Sequence, residues 1–147
     1  MPVNDQAVGK RYDPVTYVVG REKIKEYANA VGETDPIHLD VDAAREAGYD
    51  DVVAPPMFAV VYSGPALEPA LFDPDLEIDF AQMVHGGQEF RWGPLVVAGE
   101  EITTTMSVKE IYERGPMGFY VMESESDRED GERVATGTWT FIVRGDE

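Results

Sequence analysis

The stretch GETDPIHLD, Gly32 to Asp40, brings Glu33, Asp35 and His38, one of the chain's two histidines, into a short span. A carboxylate and an imidazole held near each other can divide acid and base work at neutral pH, often by gripping the same water. Glu33 and His38 are the candidates for that pair. Pro36 pushes Asp35 toward an extended backbone and stiffens the loop, which can aim His38 inward. The same composition also makes an ordinary turn with polar trim, and the residues alone leave both readings open. His85 is the other histidine; in VHGGQEF it precedes a double glycine, where a strand commonly bulges. Gln88, just beyond, is placed to hydrogen-bond across a seam between two copies, and both residues read first as structural. Two distant histidines, no cysteine and no carboxylate cluster make no metal set, and this acid–base chemistry asks for no organic cofactor.

Those side chains need a frame. VTYVV, Val15 to Val19, is β-branched and aromatic and reads as a strand. Arg21 to Val31 sets Ile24, Tyr27, Ala28 and Val31 on one helical face, with Gly32 as the expected stop. A second short helix, Val41 to Ala47, begins at the cap Asp40 and halts at Gly48. Pro55 and Pro56 suit the entry to a third helix. From Met57 to Tyr62 every side chain is apolar or aromatic, so this helix should be wrapped on all sides, and Pro65 limits it. Glu68 to Ile78, with Pro69 and Pro74, reads as a surface loop. The second half changes to period two, predicting strands over Gln82–Trp92, Glu101–Tyr112, Phe119–Ser126 and Arg133–Val143. In the last, Ala135, Gly137, Trp139, Phe141 and Val143 share one face, with Thr136, Thr138 and Thr140 opposite. Turns are expected at GPLVVAGE, ERGPMG and REDG, the last with an Asp130-Gly131 hairpin signal. The order implies an α+β domain in which a four-strand meander extends an antiparallel sheet around one apolar helix.

With 147 residues, 43% of them apolar, the chain fits a single domain over 1–147 with a sizeable core. Its longest apolar run, around Val52 to Tyr62, is too short to cross a bilayer. The opening MPVNDQAVGKRYD has no apolar stretch of a secretory signal, and zero cysteines fit a cytoplasmic protein. Twenty-nine acidic against twelve basic residues give a net charge of −17, a field that repels nucleic acid and anionic membranes. Both are excluded as partners. An anionic thioester ligand would need a local basic spot.

At this point the residues resemble a known family. Strand, helix, a loop ending D-P-I-H, a buried helix after APP and a long sheet resemble the hot-dog fold of MaoC-like dehydratases. VGREKIKEYANAVGETDPIHLDVDAAREAGYDDVVAPPMF looks closest to the FAS1-like branch, and VHGGQEFRWGPLVVAGEEI is similar to that branch's second signature. The likeness covers about Val15 to Val143. The hydratase motif of that superfamily reads approximately G-D-x-N-P-I/L/V-H, then A or S after five positions. Here Glu33 stands on the catalytic Asp, His38 on the catalytic His, Asp35 on the Asn and Ala44 on the small residue.

The resemblance implies a reversible hydratase/dehydratase interconverting 2-enoyl and (3R)-3-hydroxyacyl thioesters of CoA or acyl carrier protein, without metal or cofactor. Glu33 and His38 would share water activation and proton transfer. Met57, Phe58, Tyr62, Met83, Phe90 and Trp92 suit an acyl slot, though most of them read first as core packing, and Asp35, Pro56, His85 and Gln88 would also lie near substrate. One departure weighs against it. In active members a glycine at the start of the buried helix offers its N–H to the thioester oxygen, and APPMF puts Pro56, which has no N–H, on that glycine. Met57 N–H is the nearest substitute. The alternative is a non-catalytic acyl-binding subunit that supports the catalytic chain of a heteromeric hot-dog dehydratase; a hot-dog thioesterase is a third reading. Either leading reading implies an oligomer, a homodimer or a heterodimer with another hot-dog subunit, because family members close the sheet edge by pairing.

Overall fold

The computed structural model describes residues 4–145; residues 1–3 and 146–147 of the expected domain lie outside them. β1 (Val15–Val18) is followed by α1 (Arg21–Ala30), a 3-10 turn at Pro36–His38 and α2 (Val41–Glu46). A run of short helical pieces comes next: Pro56–Phe58, α3 (Ala59–Ser63), Gly64–Leu67, α4 (Glu68–Leu71) and Pro74–Leu76. Four long strands finish the chain: β2 (Met83–Trp92), β3 (Glu101–Arg114), β4 (Met117–Arg128) and β5 (Arg133–Arg144). They form one antiparallel sheet in the order β1-β3-β4-β5-β2, curled around α3: the hot-dog fold.

The period-two reading places the sheet's two faces correctly. On β3, Ile102, Thr104, Met106 and Val108 point inward and alternate with half-exposed neighbours. On β5, Ala135, Gly137, Trp139 and Phe141 are buried while Thr136, Thr138 and Thr140 sit on the wetter face. Gly137 is required there, because a Cβ at that position would lie 2.7 Å from Phe90 Cε1 and 2.8 Å from Trp139 Nε1. Trp139 Nε1–H donates to Ser124 Oγ at 2.8 Å, so the buried indole stays satisfied. The Asp130-Gly131 hairpin forms as expected, with Gly131 at φ +90° and Glu132 N–H donating to Asp130 Oδ1 at 2.8 Å.

Three expectations need correction. First, only β3, β4 and β5 form a meander; β2 pairs with β5 at the far edge. The segment 93–100 is therefore no tight turn but a strap across the mouth of the fold. Ala54 N–H donates to Val96 C=O at 2.8 Å, Ala98 N–H to Val52 C=O at 3.0 Å, and Gly99 N–H to Val19 C=O at 2.8 Å. Leu95, Val96 and Val97 make it too apolar and too long for a two-residue hairpin.

Second, Glu68 to Ile78 is not a surface loop throughout: Ala70 and Leu76 are fully buried. Pro65, Pro69 and Pro74 each sit in the first turn of a helical piece, where a missing N–H costs nothing, and so they restart the helix rather than forbid it. Third, the central helix is not wrapped all round. Phe58 is sealed at 0% exposure, with Tyr27 edge-on at 5.5 Å and Tyr62 at 6.3 Å, but Met57 is 43% exposed. One curled sheet covers one side of a helix and leaves the other open.

Candidate active site

α1 ends where the sequence requires. Gly32 takes φ +77°, and Glu33 N–H returns to Ala28 C=O at 2.8 Å, which turns the chain away from the helix axis. Asp35 then caps the next turn: its Oδ1 accepts from Ile37 N–H at 3.1 Å, with Pro36 in the first position. His38 closes that turn, its N–H donating to Asp35 C=O at 3.1 Å. The side chain of Asp35 is thus committed to shaping the loop, and the residue itself is exposed.

Val53 clamps the loop twice. Its N–H donates to Ile37 C=O at 2.9 Å, and its C=O accepts from His38 Nδ1–H at 2.6 Å. A carbonyl only accepts, so Nδ1 carries a proton and Nε2 is the nitrogen left for other partners. Nε2 stands 3.6 Å from Glu33 Oε2. His38 is 8% exposed, whereas the Glu33 side chain is 40% exposed. The imidazole is therefore buried and fixed, and the carboxylate can still reach solvent. Farther back, Arg21 grips Asp51 with two hydrogen bonds of 3.0 and 2.8 Å, tying the start of α1 to the segment that leads into Val53. The Arg21 guanidinium holds the Asp51 carboxyl below its ordinary range.

A cavity of about 290 Å³ opens on the residue after Val53. Ala54, Pro55 and Pro56 form one wall, Trp92 and the strap residues Leu95 and Val96 another, and Tyr62 lies among the lining. Trp92 Nε1–H donates to Pro56 C=O at 2.9 Å across its rim. Of the residues expected near substrate, Pro56, Tyr62 and Trp92 line this cavity, Met57 is exposed beside them, and Phe58 is core. His85 and Gln88 do not line it. They sit on β2 at the bulge expected from the double glycine, where the register slips between His85 and Gly87. His85 stacks on Phe141 at 4.9 Å, and its Nε2–H is shared between Gly87 C=O and Gln88 Oε1, both at 3.0 Å. Sequence reasoning missed the Val53 carbonyl and the strap. Every residue carries a carbonyl, so no residue type could have marked that one.

Among the described residues, no three His, Cys, Asp or Glu side chains converge as a metal set, and no helix is long and apolar enough to cross a membrane. A family model described as the FAS1-like dehydratase domain region matches residues 6–137. The chain belongs to the FAS1-like dehydratase family. Its relatives include a UPF0336 protein of Leifsonia xyli, 44% identical over the whole chain and 99% of that protein. Another, from Saccharopolyspora erythraea, is 40% identical over 99% of this chain and 94% of that protein. The chain also superposes on a solved MaoC-like dehydratase with a TM-score of 0.84 and 27% identity over 95% of the chain, spanning only 42% of that protein's length. The 3R-hydroxyacyl-ACP dehydratase complex HadBC of Mycobacterium tuberculosis is similar over 95% of this chain and 98% of that one, with a TM-score of 0.81 and 26% identity. The R-hydratase PhaJ1 of Pseudomonas aeruginosa shares the fold over 95% of this chain and 83% of that one, with a TM-score of 0.72 at 18% identity.

Proposed function

We propose that this FAS1-like dehydratase adds water to 2-enoyl thioesters and, in reverse, dehydrates (3R)-3-hydroxyacyl thioesters, with Glu33 and His38 as the acid–base pair. The observation that carries the reading is the fixed imidazole: Nδ1–H is spent on Val53, and Nε2 stands 3.6 Å from Glu33 Oε2. An ionised Glu33 and a neutral Nε2 are both acceptors and have no hydrogen bond to make with each other. A water between them can donate to each, which turns its own lone pair toward a substrate. As that oxygen bonds to the β-carbon of the enoyl group, one water proton passes to the pair. The pair delivers a proton to the α-carbon, and the starting protonation state returns. Dehydration runs the same steps backward. The acyl chain would occupy the cavity that starts at Ala54.

The charge that develops on the thioester oxygen needs a donor. Pro56 has none, and Met57 N–H, in the first turn where no intrahelical acceptor exists, is the next amide along. The missing Pro56 donor favours a second reading, in which this chain binds acyl groups for a catalytic hot-dog partner. The edge of the sheet supports a partner in either case. β2 is paired only on its β5 side, and Phe80, Val84, Trp92 and Leu95, on or flanking it, are exposed apolar side chains. A second hot-dog chain, identical or not, would cover them.

Crotonyl-CoA hydration, followed by loss of enoyl absorbance, separates the readings. Activity of the purified chain alone that vanishes in His38→Ala is the expected result. Activity found only after mixing with a hot-dog chain bearing an intact G-D-x-N-P-x-H motif, and unaffected by His38→Ala here, assigns this chain the accessory role. No activity in any mixture overturns both.

A further inference from the structure

The cavity that begins at Ala54, one residue past the Val53 clamp on His38, has a mainly apolar lining. Tyr62 lines it, is 3% exposed, and makes no hydrogen bond to another described residue. Among the described residues, the fully enclosed side-chain polar atoms that lack a partner are Gln88 Nε2 and Arg128 Nε. Tyr62 Oη is not among them, and Tyr62 contributes to the wall of this cavity. Gln88 Nε2, by contrast, is closed off from any ligand. Burial, and to a lesser degree the charge of Glu100, push the Tyr62 phenol up, so it remains protonated and able to donate at neutral pH.

We infer that the Tyr62 hydroxyl is a specificity device that hydrogen-bonds an oxygen carried on the acyl chain beyond the reacting carbons. The inference rests on the cavity being the acyl slot of the proposed reaction. A cavity of about 290 Å³ has room for roughly ten non-hydrogen atoms, at about the 30 Å³ that liquid water gives each molecule. When a plain alkyl chain fills that room it expels water from the hydroxyl and leaves it stranded against methylenes. A chain with a ketone or hydroxyl at the right depth replaces the lost partner. Selectivity follows from the stranded group rather than from added attraction, because buried polar groups left unpaired are what reject analogues lacking the complementary atom.

The test is binding, which does not depend on turnover. Decanoyl-CoA and a positional series of oxo-decanoyl-CoA esters, each with its ketone beyond the reacting carbons, are titrated against the full chain and against Tyr62→Phe. One or two adjacent ketone positions are expected to bind about tenfold or more tighter than the alkyl chain. Tyr62→Phe should erase that preference while holding the alkyl chain as well or better. Equal binding of all chains by the wild-type protein overturns the inference and leaves the proposed reaction standing. A preference that survives in Tyr62→Phe, with the variant's thermal unfolding unchanged, also overturns it. No binding of any ester defeats the acyl-slot reading and the inference together. Equal binding in the wild-type series overturns the inference even if the variant does not fold.

Discussion

His38 does two jobs that two substitutions can pull apart. Its Nδ1–H satisfies the carbonyl of Val53, a residue with 0% exposure, and its Nε2 faces Glu33. His38→Ala removes both functions and leaves a buried carbonyl without its partner, which costs about 1–3 kcal/mol. For a chain of this size that corresponds to a fall of roughly 3–10 °C in Tm. His38→Asn is the discriminating variant. Its carboxamide N–H can stand near where Nδ1–H stands and meet the Val53 carbonyl, but nothing replaces the basic Nε2. Asn should therefore recover most of the lost Tm while hydration of crotonyl-CoA stays depressed by roughly 10²–10⁴-fold, the usual worth of a positioned general base. The assay pairs differential scanning calorimetry with initial rates, using whichever form, alone or with a partner, hydrates the substrate. Two results would refute the reasoning: an Asn variant as fast as wild type, or an Ala variant that melts unchanged.

Glu33→Asp restores the carboxylate usual in the hydratase motif but shortens the arm that now reaches to 3.6 Å from Nε2. The gap then widens by about one C–C bond and moves the carboxylate off the position at which it shares a water with Nε2, so the rate should fall about tenfold to a hundredfold; a faster Glu33→Asp would mean that this loop is a drifted version of an aspartate site. Asp51→Asn breaks the grip of Arg21, the cause that holds the Asp51 carboxyl below its ordinary value of 3.8. A depressed carboxyl stabilises the fold above its unfolded pKa and loses that contribution as pH falls through the folded value. The Tm gap between wild type and Asp51→Asn should accordingly be full at neutral pH and close in the acid limb below about pH 3.8. A gap that persists to the acid end of the scan contradicts the ion-pair account.

Much of the fold was legible because periodicity is a local property. The alternation of Ala135, Trp139 and Phe141 with threonines, the helical face of Ile24, Tyr27 and Ala28, and the Gly32, Gly48 and Gly131 punctuation all act over a few residues. The pairing of β2 was not legible, since its pattern suits either neighbour and the choice depends on what the strap 93–100 must cover. Phe58 shows the same limit. An apolar residue at the start of the central helix suits an acyl slot or a core, and only the rings of Tyr27 and Tyr62 packed around it decide for the core.

The string of residues by itself determined that a carboxylate and an imidazole lie on one stiff loop after a helix, inside an α+β chain with no cysteine. It could do so because residue type, proline constraint and helix termination operate between near neighbours. Tertiary structure alone decided which imidazole nitrogen carries the proton, since the group that holds it, Val53 C=O, is fifteen positions away. It also decided that Tyr62 faces a cavity rather than a sealed core and that Asp35 serves the loop. Hydrogen-bond direction and enclosed volume arise from segments meeting in space, and no spacing along the chain encodes them.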